Sequence, residues 1–211
     1  NNPRGAPSEF AKTWRRRPPL YIRLLAEGKF YAALLNIDVD LAASARAAGC
    51  RCGGALHGAN YPRKPRGGPG HLSADYQYRL SLCCATDGCR KRVTPPSVRF
   101  LGRKVYLAAV VVLVSAMRQG PTPTRVAKLH DLLGVGERTL RRWRTWWQQI
   151  FSQGAFWRTG QARCMPPVVA AALPLGLWER FAGDAPERLG DLLRFVSPIT
   201  TTTCPRRRDD C

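Results

Sequence analysis

An α+β fold, mainly α, is predicted for this chain by three observations. Apolar residues recur with helical spacing over 20–48 and again over 104–151. Between them, residues 49–96 hold five of the eight cysteines, are punctuated by glycine and proline, and contain an alternating strand pattern. The two ends are polar and proline-broken, and they read as disordered.

The elements follow in order. Residues 1–19 carry Arg15-Arg16-Arg17 before Pro18-Pro19 and read as a disordered basic arm. The chain opens on Asn1-Asn2-Pro3, without Met, as a fragment or a processed product would. Over 20–48, Leu20, Leu24 and Leu25, then Phe30, Ala33, Leu34 and Ile37, give a helical face. Gly28 and the stretch 38–40 are expected to break this segment into two helices, and Gly49 to stop it. Residues 76–82 alternate as a strand, with 55–61 as the antiparallel partner across a long basic turn, 62–70. On that strand Tyr76, Tyr78, Leu80, Leu82 and Cys84 share one face, and Gln77, Arg79, Ser81 and Cys83 the other. The run from Val105 to Met117 is the longest apolar stretch. A bilayer needs about 20 residues, so this run reads as a buried helix over 104–119. Helices over 124–133 and 137–151 come next. A last short helix is expected over 186–196, with Leu189, Leu192, Leu193 and Val196 on one face.

Charge narrows the partners. Lys and Arg number 34 against 14 acids, a formal charge of +20. The excess is segregated: 41–74 has five bases, 88–130 nine and 138–178 six, and none of these stretches contains an acid. A salt-bridged surface would alternate signs. A polyanion is therefore the expected partner. No secretory signal opens the chain, so a cytoplasmic, nucleoid-associated bacterial protein with no membrane partner is expected. In such a compartment cysteines stay reduced and serve metals more often than disulfides.

Cys50-Arg51-Cys52-Gly53-Gly54 and Cys83-Cys84-Ala85-Thr86-Asp87-Gly88-Cys89 flank the expected hairpin. Two cysteine turns on neighbouring strands can offer four thiolates to one tetrahedral ion, as in a zinc ribbon. The ligand set is Cys50, Cys52, Cys84 and Cys89, holding one structural Zn²⁺. Cys83 competes with Cys84, and His57 or His71 is an alternative to one thiolate. Strand alternation favours Cys84 if the metal lies over the apolar side. Gly53 and Gly88 suit turns that need positive φ, and Arg51, Arg90, Lys91 and Arg92 would favour thiolate over thiol. A catalytic zinc needs an open position and a general base, and no His-Glu-x-x-His pattern is present.

The second motif runs from Thr124 to Trp147. Val126, Ala127, Leu129 and Leu133 give a first helix an inner face, Gly134 ends it, Val135 plugs the turn, and a second helix begins near Glu137. There Leu140, Trp143 and Trp147 fall on one side, and Arg138, Arg141, Arg142 and Thr145 on the other. A helix with an apolar back and a cationic front fits a major groove. The expected DNA-contacting set is Arg138, Thr139, Arg141, Arg142, Arg144 and Thr145, joined by Arg63, Lys64 and Arg66 from the hairpin turn and by Arg103 and Lys104. The apolar helix over 104–119 completes a three-helix helix-turn-helix unit. The domains are thus a basic arm (1–19), a helical segment (20–48), a zinc ribbon (49–96), a helix-turn-helix domain (97–152) and an irregular, partly helical C-terminal extension and tail (153–211).

On Cys50/Cys52 and Cys84/Cys89, the connection Val93-Thr94-Pro95-Pro96-Ser97-Val98-Arg99-Phe100-Leu101-Gly102-Arg103-Lys104, and Leu132-Leu133-Gly134-Val135-Gly136-Glu137-Arg138-Thr139-Leu140-Arg141-Arg142-Trp143, the chain resembles the zinc-ribbon and helix-turn-helix portion of bacterial insertion-sequence transposases and transposition accessory proteins. The resemblance covers roughly 48–150 and implies sequence-specific binding of double-stranded DNA, with a transposase or a second copy as protein partner. The carboxylate triad of such transposases has no counterpart among Glu179, Asp184, Glu187, Asp191, Asp209 and Asp210, so a non-enzymatic recognition protein or a regulator is expected. The alternatives are a truncated or divergent transposase, and a zinc-ribbon RNA-binding or assembly protein.

Overall fold

A computed structural model describes residues 23–201 apart from 26, 64, 69–71, 102–105 and 118–121. The basic arm, the C-terminal tail beyond 201, His71, Lys64, Arg103 and Lys104 lie outside the described residues. The architecture is mixed α and β, mainly helical, with small antiparallel sheets. Among the described residues, no helix is long and apolar enough to cross a membrane.

Helix α1 (Gly28–Ala47) follows a short helical stretch at 23–25. The interruption comes just before Gly28, near the expected place. The second expected break, at 38–40, does not occur: α1 runs on for 20 residues. Phe30, Tyr31, Leu34 and Asp38 are its buried residues, so Asp38 sits on the inner face as a continuation of the apolar stripe. Its carboxylate is satisfied there by a partner far along the chain, and it has no need to compete for the helix backbone. Gly49, at φ 69°, turns the chain out of α1.

The hairpin expected over 55–82 is present but divided. Strand β1 (Leu56–Gly58) pairs antiparallel with β4 (Leu82–Cys84), in the register Leu56 to Cys84. Strand β2 (Tyr61–Pro62) pairs with β3 (Tyr78–Arg79). A third strand beside β4, β5 (Arg92–Val93), was not expected. It has only two residues, below the length at which alternation can be read. The start of the expected strand is corrected: Ala74–Gln77 is a 3₁₀ turn capped by Ser73. That turn shifts the alternation by one, so Arg79 is buried and Tyr78 is 48% exposed, the reverse of the expected faces. Alternation regains its expected phase only at the cysteines.

Helix α2 (Ala108–Ser115) is buried at every residue. A helix apolar all round belongs at the centre of a packed body, and α2 packs against the helices that follow on two sides. It is shorter than the expected 104–119, because Tyr106 and Leu107 form extended bridges to Arg66 and Phe100. Helix α3 (Pro123–Leu133) begins with proline in its first turn and ends at Gly134, φ 64°, whose N–H bonds the His130 carbonyl at 2.8 Å. After the turn 134–136, helix α4 (Glu137–Thr145) passes into a π-helical turn, Trp146–Phe151.

The segment from 155 onward was expected as an extension, but it belongs to the same body. Helix α5 (Ala155–Gly160), the short α6 (Leu175–Trp178) and α7 (Ala185–Val196) close the core. An Asp184/Glu187 capping box starts α7. The four apolar residues read as one face, Leu189, Leu192, Leu193 and Val196, are each 0% exposed. One apolar cluster therefore runs from Leu24 through α2 and the tryptophans to Val196, and a separate small cluster surrounds the cysteines.

Candidate metal centre and nucleic-acid interface

The first cysteine turn closes on itself: the Gly53 N–H bonds the Cys50 carbonyl at 2.8 Å and the Cys50 N–H bonds the Gly54 carbonyl at 3.0 Å. Gly53 takes φ 83°, which a side chain would resist. Gly54 is required for another reason. A Cβ there would lie 2.1 Å from Thr86 Oγ1 and 2.9 Å from Cys84 Sγ, so only a glycine lets the two turns meet. The second turn is held by the Cys89 N–H on the Thr86 carbonyl, 3.1 Å, and by the Thr86 N–H on Cys84 Sγ, 3.4 Å. Gly88 takes φ 80°.

These turns bring Cys50, Cys52, Cys84 and Cys89 together, with all four sulfurs within 4.8 Å of one another. Cys50 Sγ is 3.7 Å from Cys89 Sγ, and Cys52 Sγ is 3.5 Å from Cys84 Sγ. A tetrahedral ion with metal–sulfur bonds of about 2.3 Å needs sulfurs about 3.8 Å apart. The cluster thus has the composition and spacing to hold one metal ion, and it is the expected ligand set. Cys83 lies on the other side of β4, 0% exposed, and is disulfide-bonded, so its sulfur is not offered to the cluster and the expectation of reduced cysteines does not hold there. His57 is exposed on β1, outside the sulfur cluster.

The electrostatics suit a cation. The Gly54 backbone N–H, followed by the Cys89, Cys84 and Cys50 thiols, lowers the Cys52 pKa to about 6. At Cys89 the Lys91 backbone N–H acts downward, but the Cys52 sulfur, desolvation and the other two sulfurs outweigh it and push the thiol up to about 11. Cys52 thus gives up its proton more readily than Cys89, and a metal binding there would displace protons from the cluster. The apolar cluster of this region consists of Cys50, Leu56, Leu82 and Cys84, with Ala45, Cys89 and Val93 beside them.

The cationic face lies on α4. Leu140 and Trp143 are each 2% exposed and Trp147 is 0% exposed, the seam expected from their spacing. Val135, in the turn, is also fully buried. Trp143 meets Tyr106 edge-on at 4.9 Å, while Trp146 meets Trp147 edge-on at 4.8 Å and lies tilted against Phe151 at 5.6 Å, within the body. On the outward side Arg138, Arg141, Arg142 and Thr145 are exposed, and Thr139 and Arg144 are half-buried. In α3, Leu129 and Leu133 are buried as expected, but Ala127 is exposed. It lines an open cleft of about 440 Å³ with Val126, His130 and Glu137, so it does not mediate close helix contact. Of the turn bases, Arg66 is exposed, and Arg63 is half-buried with its guanidinium over the Phe100 ring at 5.5 Å.

Two basic residues counted in the charge excess are interior. Arg79 is 3% exposed and donates to the carbonyls of Leu80 and Pro95; desolvation lowers its pKa. Arg99 is 1% exposed and pairs with Asp38, Nε to Oδ2, at 2.7 Å. Its remaining nitrogens reach the Asp75 and Tyr78 carbonyls, both at 3.1 Å. Asp38 also accepts from Ser97 Oγ at 2.6 Å and from the Val98 N–H at 2.7 Å, and the Ser97 N–H bonds Thr200 Oγ1 at 2.8 Å. This network ties α1, the cysteine region, the connecting segment and the residues after α7 into one node. Sequence reading missed it, and only the isolated acid inside an apolar stripe signalled it.

No known protein family, no curated protein and no solved structure matches this chain.

Proposed function

We propose that this protein is a zinc-braced, sequence-specific double-stranded-DNA-binding module of a transposition system, in which the cysteine cluster is a zinc ribbon and α3, its turn and α4 are a helix-turn-helix. The supporting observation is the two-sided α4. Its back is pinned by Leu140, Trp143 and Trp147, and its front presents Arg138, Arg141 and Arg142 to solvent. A rigid helix carrying outward guanidinium groups can enter a major groove, where Arg donates two hydrogen bonds to guanine and its neighbours neutralise phosphates. Four thiolates in a tetrahedral spacing favour zinc, held as a brace with no open position for catalysis. The setting in transposition rests on the resemblance of the cysteine and α3–α4 motifs alone. The module acts by binding, with a transposase or a second copy as its protein partner.

The test is a fluorescence-anisotropy titration against a duplex selected from a random pool. Arg141→Ala and Arg142→Ala are each expected to weaken selected-site binding about 5- to 150-fold, the range for one lost base contact. Arg158→Ala, at an exposed position of α5, should change it less than about twofold, because one remote surface charge acts only through screened attraction. Equal losses for all three would reject α4 as the recognition face. Metal analysis of the purified chain should return one zinc per protein.

A further inference from the structure

The outward side of α4 contains one acid among its bases. Glu137 opens the helix, and its Oε1 accepts from Arg141 Nη2 at 2.6 Å, with the two side chains 49% and 74% exposed. Among the described residues, Arg138 and Arg142 form no ion pair. A carboxylate on a surface that must approach phosphates opposes binding of any duplex. Its contribution to helix stability is small, about twofold for an exposed pair at i and i+4. As an acid in the first turn Glu137 also suits the helix dipole, but that does not set where the Arg141 guanidinium points.

Geometry does. Arg141 is exposed on this face, and a free arginine loses considerable rotamer freedom on docking. The bond to Glu137 holds one guanidinium edge before any ligand arrives, which lowers that loss. Arginine has five N–H donors, so one engaged with Glu137 leaves enough for the two acceptors of guanine, O6 and N7. The second carboxylate oxygen of Glu137 remains available for the N4 amino group of a cytosine.

We propose that Glu137 is a positioning residue that presets Arg141 as a reader of guanine in a G·C pair, so that the two act as one specificity unit. This rests on the reading of α4 as a DNA-contacting helix. The pair gives up general affinity and gains base discrimination. His130 lines the cleft beside Glu137, and its Nδ1 lies 3.7 Å from Asp131. It takes no part in the unit.

The experiment is competitive binding of the full, metal-loaded chain to duplexes that differ at a single base pair, with Glu137→Ala, Glu137→Gln, Arg141→Ala, the double variant and His130→Ala. Wild type is expected to prefer guanine at one position by about tenfold, the worth of one bidentate contact. Glu137→Ala should flatten that preference to within about twofold of Arg141→Ala, while its affinity for random duplex stays level or rises, since an anionic group has been removed. Glu137→Gln keeps the acceptor and should restore part of the preference. The double variant should lose no more than Arg141→Ala alone, as expected for residues that act together. His130→Ala should match wild type. An unchanged preference in Glu137→Ala, or single losses that multiply in the double variant, would overturn the unit while leaving α4 as the binding helix. If Arg141→Ala itself keeps full affinity and preference, or wild type ignores duplex DNA, the reading of α4 fails and this inference fails with it.

Discussion

Around the four sulfurs, the buried apolar side chains besides cysteine are Leu56 and Leu82. Around Trp143 and Trp147, burial extends without interruption through α2, the aromatic residues Phe151 and Trp157, and the inner face of α7. The two regions lie in one chain and are stabilised by different physics. The helical body removes enough apolar surface from water to stand on its packing. The cysteine region has a much smaller apolar cluster, so attachment to its neighbour and an ion held by the proposed metal site would weigh more in its stability. Sharp turns illustrate the contrast. In the cysteine region Gly53, Gly54 and Gly88 all serve to bring sulfurs together, whereas in the body Gly134 ends a helix so that Val135 can reach the core.

Removing the ion should separate the two regions most strongly. Chelation, or Cys52→Ser, is expected to abolish the ordered β1–β4–β5 sheet while leaving most helical circular dichroism in place. Structural zinc contributes roughly 10–16 kcal/mol of apparent binding free energy near neutral pH in small zinc-dependent folds, far more than two leucines supply. Amide chemical-shift dispersion for 50–93 that survives metal removal would show that packing alone suffices there.

The Asp38–Arg99 node tests whether the regions are joined. Asp38→Ala leaves an arginine buried without its partner, and breaking such a pair costs about 3–5 kcal/mol. Urea unfolding should show that loss, together with a second transition as the cysteine region uncouples from the body. A paired replacement, Asp38→Leu with Arg99→Met, should recover much of the stability, because the unpaired charge is gone. A single Asp38→Ala transition at the wild-type midpoint would mean that the node joins nothing.

The smallest expected effect, that of Trp147→Phe, falls within the body. Trp147 is completely buried, and its Nε1 has no hydrogen-bond partner among the described residues. Trp147→Ala should destabilise by about 3–5 kcal/mol through the cavity it leaves. Trp147→Phe keeps most of the ring and removes the unpaired donor, so it should cost less than about 1.5 kcal/mol. Equal costs would indicate that the indole nitrogen matters more than packing.

The arginine face and the ligand set were legible in the sequence because each depends on spacing within a short window. Leu140, Trp143 and Trp147 share a helix face by periodicity alone, and Arg138, Arg141 and Arg142 then point away from it. Cys84 and Cys83 are separated by strand alternation, which survived at the cysteines although the 3₁₀ turn at 74–77 reversed it for Tyr78 and Arg79. The last helix was readable as a helix, through the spacing of Leu189 to Val196, but not as one wall of the core, and the short helices at 155–160 and 175–178 were not read at all.

By itself, the sequence determined the local quantities: which residues form helices, which cysteines can meet, and which side of α4 is charged. These follow from the 3.6- and 2-residue periods and from turn chemistry, which act over a few residues. Only the tertiary structure decided that α1 continues through Asp38, that Arg79 and Arg99 are interior while other bases face solvent, and that residues beyond 155 complete the body. Asp38 and Arg99 stand 61 residues apart. A buried charge depends on the partner the fold brings to it, and no local pattern records that partner.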